Sequence, residues 1–110
     1  MTHEHKQLAA GRWRELSFVE QMANVGSEIE RTIIWKKKNN TEYSQRAFER
    51  ALELLDLTLE DKKNRTRLKE LARVREALAD HFFFDNSYKS TEESWQKYFY
   101  GFNFAARVNR

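Results

Sequence analysis

Cysteine and proline are both absent from the 110 residues, and glycine occurs only three times. The first absence excludes disulfides, thiolate nucleophiles and cysteine-bound metals, and makes a cytoplasmic setting the expectation. The second leaves helices with few interior breakers. No apolar run approaches the ~20 residues that cross a bilayer, so no membrane association is expected. The opening segment MTHEHKQLAAGRWRE carries charge where a secretory leader needs an apolar stretch. A strong charge of one sign is missing too: 20 Lys and Arg stand against 17 Asp and Glu, a net of +3. That mixture suits a solvated surface better than the one-sided stripe of a dedicated nucleic-acid binder. There is no P-loop, no G-x-G-x-x-G, no H-E-x-x-H and no nucleophile elbow, so no cofactor and no metal are expected.

What is present is apolar periodicity. Hydrophobic residues make up 40% and aromatic residues 14% of the chain, enough for the core of one small domain. Residues 1–16 read as a flexible arm followed by a lid. The arm includes His3 and His5, too few ligands for a metal site. Trp13 and Leu16 form the lid over one end of a single domain spanning 17–110.

Ser17 opens the first helix, because Ser17 and Glu20 have the spacing of a capping box. Phe18, Met22, Val25, Ile29 and Ile33 recur at steps of three and four, and Val19, Ala23, Gly26 and Ile34 widen the stripe. Gly26 predicts close approach of a neighbouring helix. Glu30 falls inside this apolar arc. Lys36, Lys37 and Lys38 close the helix, where they complement its dipole. Thr41 caps the second helix. Its apolar face runs through Tyr43, Ala47, Phe48, Ala51, Leu54, Leu55, Thr58 and Leu59, and Glu49, Glu53, Asp56 and Glu60 form a solvated row opposite. Glu60 to Asn64 is a polar loop.

The third helix, Arg65 to Phe84, reads as the element the other three cover. Leu68, Leu71, Ala72, Leu78, Ala79 and Phe82 share one face, with Arg75 in its middle and His81 at its edge. After a turn over Asp85 to Thr91, a second S-x-x-E box at Ser90 and Glu93 starts the fourth helix. Trp95, Tyr98, Phe99, Phe102, Ala105 and Ala106 make its core face. Short connections make sequence neighbours antiparallel, so the expectation is all-α: an up-and-down four-helix bundle with a short N-terminal arm.

Three sets of residues are candidates for function. Arg75 and Glu30, each a charge in an apolar arc, form an expected buried ion pair. Trp35, Phe84, Tyr100 and Phe104 fall off the main apolar arcs and can build an oligomer interface. Lys36, Lys37 and Lys38, with Arg65 and Arg67, are the candidate nucleic-acid contacts.

Arg75 and His81 also form an R-x5-H pattern. It resembles the R-x4-6-H motif of HEPN-type domains, small helical domains that often dimerise and often cleave RNA. The resemblance implies that Arg75 and His81 of two subunits meet in a cleft around the scissile phosphate. The GRW, SQRAFERALELLDL and YFY segments resemble those of short uncharacterised prokaryotic proteins, which carry no function with them. The sequence therefore points to a non-enzymatic helical interaction module that forms a homodimer or binds a protein partner. The alternative is a HEPN-like RNA-cleaving domain or a nucleic-acid-binding helical subunit.

Overall fold

The computed structural model describes residues 11–108. The predicted arm of residues 1–10, His3 and His5 included, lies outside these. Among the described residues the chain is all-helical, without a strand. A short helical stretch at 11–15 precedes four long helices: α1 (Phe18–Lys37), α2 (Thr41–Glu60), α3 (Leu68–Phe83) and α4 (Glu92–Val108). A 3-10 helix, Lys62–Arg67, joins α2 to α3. None of the described helices is long and apolar enough to cross a membrane.

Local chemistry sets most of the boundaries. The Ser17 side chain accepts from the Glu20 N–H at 3.1 Å, and the Glu20 carboxylate accepts from the Ser17 N–H at 3.1 Å, completing the expected capping box. Asn39, at φ 61°, turns the chain after α1. Asn40, one residue before the expected Thr41, caps α2 by accepting from the Tyr43 N–H at 3.0 Å. The second box is shifted by one residue. Thr91 and Ser94 exchange the capping hydrogen bonds at 3.0 and 3.1 Å, while Ser90 accepts from the Trp95 indole at 3.0 Å.

The core is organised around α1, not around the third helix. Helix α1 packs extensively on both α2 and α4, whereas α3 meets α2 over a smaller area. The 3-10 segment takes the first turn of the predicted third helix and leaves α3 shorter than α1. Paired contacts give the directions. Thr32 faces Ser44, and Glu28 faces Arg50; Gly26 faces Phe99, and Glu30 faces Gln96; Asp56 faces Arg75, and Phe48 faces Phe82. In each pair of helices, one number rises as the other falls, so the neighbours are antiparallel.

Met22, Val25, Ile29 and Ile33 of α1 are buried with Phe48, Leu55, Leu71, Leu78, Trp95 and Phe99 in one cluster. Burying each such leucine contributes roughly 1.5–3 kcal/mol. The buried side of α1 is turned from the expected arc, towards Gln21, Glu28 and Thr32 and away from Glu30 and Ile34, which are exposed. Helix α2 covers that polar flank, and the Ser44 hydroxyl donates to the Thr32 carbonyl at 2.8 Å.

The lid is tied down by a buried polar network. The Trp13 indole donates to the Thr58 hydroxyl at 2.9 Å. The Gln21 amide donates to the Trp13 carbonyl at 2.9 Å and to Asp61 at 2.8 Å. The Asn64 amide donates to Gln21 and to the Thr58 carbonyl, both at 2.9 Å. Burial of Asp61 works against its charge, but hydrogen bonds from Lys63 and Gln21 outweigh this and hold its carboxyl below the usual range.

Candidate functional site

Arg75 emerges from α3 at the rim of an open cleft of about 550 Å³, lined by Leu59, Glu76, Asp80, Phe84 and Tyr88 among others. Its guanidinium does not reach Glu30. It donates through Nε to Asp56 at 2.7 Å and through Nη2 at 3.4 Å. The side chains of Arg75 and Asp56 are 40% and 47% exposed, so this is a half-solvated pair and not a buried one. Glu30 instead accepts from Gln96 at the α1–α4 seam. The expected Arg75–Glu30 pair fails for two reasons. The α3 core side is centred on Leu71, Val74 and Leu78, roughly 60° round the helix from Arg75. Asp56, assigned to a solvated row, lies across from Arg75 on α2.

The rest of the cleft is acidic. The Asp80 carboxylate accepts from the Tyr88 N–H at 3.0 Å, and from the Ser87 N–H and hydroxyl at 2.9 and 2.8 Å. The Tyr88 amide first, then the Ser87 donors, hold this carboxyl below its usual range. The Tyr88 hydroxyl donates to Glu76 at 2.8 Å, and that bond raises its pKa. Glu76 and Asp80 thus line the cleft with Arg75, whose guanidinium is already paired with Asp56, a field that opposes an anionic substrate.

His81 is not part of this cleft. Its ring meets Phe82 edge-on, with centroids 4.6 Å apart. Both ring nitrogens are closed off from solvent and lack a hydrogen-bond partner. A proton carrier must reach its substrate within hydrogen-bonding distance, and this imidazole presents neither nitrogen. Within one chain, then, Arg75 and His81 do not form a common site.

The basic candidates are split between two ends of the molecule. Lys36 and Lys37 lie 3.9 and 4.0 Å from Glu92, and Lys38 stands over the Trp35 ring. Arg67 covers Phe18 at the opposite end of α1, roughly 30 Å away by the length of that helix. Arg65, in the same 3-10 segment, belongs with Arg67. These five residues do not make one surface.

The off-arc aromatics also divide. Trp35 is half-buried and packs edge-on against Tyr43. Phe84 is 74% exposed beside the acidic cleft. Tyr100 and Phe104 stack on each other along the outer side of α4, with centroids 6.4 Å apart. They are 60% and 55% exposed, and Val108, one turn on, is 61% exposed. The spacing of Tyr100, Phe104 and Val108, four residues each time, was available in the sequence and would have added Val108 to the set. On the inner side of the same helix, burial pushes the Tyr98 hydroxyl up to about 12, with Glu70 adding to the shift. Comparison with models of protein families, with curated proteins and with solved structures found no match.

Proposed function

We propose that this chain is a non-enzymatic helical interaction module of the cytoplasm that acts as a homodimer, built on an up-and-down four-helix bundle. Antiparallel neighbours and short connections support the bundle, and the cysteine-free composition supports the compartment. The observation that carries the function is the exposed row of Tyr100, Phe104 and Val108 on α4. Large apolar side chains aligned on one exposed helix face favour a partner that removes them from water. Trp35 drops out of the interface, because its ring is already packed within the chain. The acidic surroundings of Arg75 and the enclosed nitrogens of His81 support a module without RNA-cleaving activity.

Sedimentation velocity on the wild type, Tyr100→Glu and Phe104→Glu tests this reading. The wild type is expected to dimerise at micromolar concentration. Each variant is expected to be monomeric with unchanged circular dichroism. A wild type that stays monomeric would remove the proposal.

A further inference from the structure

We infer that two copies of the chain pair their α4 helices antiparallel, about a twofold axis at Tyr100; this rests on the self-association proposed above. Glu93, Lys97, Tyr100, Phe104, Arg107 and Val108 are all exposed. At ~100° per residue they fall within an arc of roughly 100° on one side of α4. Gly101 borders that arc, and nothing lies within 4 Å of the Cβ it lacks, so a second helix can approach there.

The charge pattern of this arc complements itself. Glu93 lies seven residues before Tyr100, and Arg107 lies seven after it. A twofold axis at Tyr100 therefore sets Glu93 beside Arg107 of the second copy, and does so twice. The stacked Tyr100 and Phe104 rings occupy the centre, where water is excluded. A parallel pair would bring Glu93 against Glu93 and Arg107 against Arg107, so repulsion selects the antiparallel orientation. Both charges are available. Among the described residues, neither forms an ion pair within the chain, while the adjacent Glu92 is engaged by Lys36 and Lys37. A foreign helix would need no such symmetry, and this is what favours a second copy as the occupant.

The strip is narrow, running ~22 Å from Glu93 to Val108. At a helix-face width of roughly 10 Å it covers on the order of 200 Å², well short of the ~800 Å² per partner of a standard interface, so the association is expected to be weak and the dimer to grow in across the micromolar range.

A chain without cysteine allows a direct test. Glu93→Cys and Arg107→Cys proteins are prepared separately, checked by circular dichroism, and treated with a short bismaleimide alone and mixed. Cross-linked dimer is expected only in the mixture. Cross-linking of each variant with itself would overturn the antiparallel orientation. Charge exchange gives a second readout by sedimentation. Glu93→Arg or Arg107→Glu alone is expected to weaken dimerisation roughly five- to tenfold, and the two together to restore it. A wild-type dimer that neither responds to the charge variants nor cross-links in the mixture would overturn this arrangement while leaving self-association intact. A monomeric wild type would overturn both.

Discussion

The Cβ that Gly26 lacks would lie 2.7 Å from the Cβ of Phe99, closer than two carbon atoms can stand. Helix α4 therefore rests on the bare backbone of α1 at this point. Alanine gains about 1 kcal/mol over glycine in a free helix, whereas forced overpacking costs about 1–3 kcal/mol. The second effect is expected to win, because the clash involves a Cβ that cannot rotate away. Gly26→Ala should thus lower the midpoint of denaturant unfolding, and Phe99→Gly, which removes the opposing Cβ, should cost less stability in that background than in the wild type. A Gly26→Ala protein more stable than wild type would contradict the close contact.

Gln21 is buried and joins the lid to Asp61 and Asn64. Gln21→Leu keeps the apolar bulk but strands its partners, at an expected cost of about 1–3 kcal/mol. The lid should loosen as well. Arg12 and Arg14 within it are exposed, so trypsin should cut there faster in the variant than in the wild type. Equal cutting rates would mean that the network does not hold the lid.

Hydrogen bonds hold the carboxyls of Asp61 and Asp80 below the ordinary aspartate range in the folded chain. A folded pKa below the unfolded one gives stability that is present above the unfolded value and lost as pH falls through the folded one. Stability should therefore fall in acid, below about pH 4. Asp80→Asn should lower stability at neutral pH, where its single amide oxygen cannot replace both carboxylate oxygens on Ser87 and Tyr88, and should flatten part of the acid fall, since the amide does not titrate there. An acid transition identical to the wild type's would argue against Asp80 as a contributor.

Arg75 and Asp56 form a half-exposed pair, worth about 1 kcal/mol or less. Arg75→Ala and His81→Ala should each leave RNA as intact as the wild type does. The assay is incubation of RNA with all three proteins, matched by circular dichroism. Cleavage by the wild type that vanishes in both variants would restore the HEPN-like reading.

How far such features can be read in advance depends on whether they are local. Ser17 with Glu20 is a four-residue pattern, and it forms as spaced. The need for a close neighbour at Gly26 was also legible, although its identity as Phe99 was not. Helical periodicity locates a stripe but not which flank of it the next helix covers. For that reason Gln21, Glu28 and Thr32 are buried where Glu30 and Ile34 were expected, and Arg75 lies beside the core instead of in it. Overlapping cap patterns cause the other errors: Ser90 and Thr91 both have a partner three residues on, and the Trp95 indole takes Ser90. The candidate site was the least legible part, because the Asp56 partner comes from a helix face whose sequence is indistinguishable from a solvated one.

The network around Trp13, Gln21, Thr58, Asp61 and Asn64 has a consequence for register. Sliding α1 along α2 by one turn, about 5.4 Å, would still set apolar side chains against apolar side chains. Such a slip is only weakly penalised by the hydrophobic stripe itself. The three hydrogen bonds of 2.8–2.9 Å that cross between the two sides, Trp13 to Thr58, Gln21 to Asp61 and Asn64 to Gln21, however, have no equivalent one turn away, and each of these donors would lose its acceptor. The apolar core holds the helices together, and this polar end, seconded by the Ser44–Thr32 bond towards the other end of the pair, acts as the zero mark that fixes where along their length they stop.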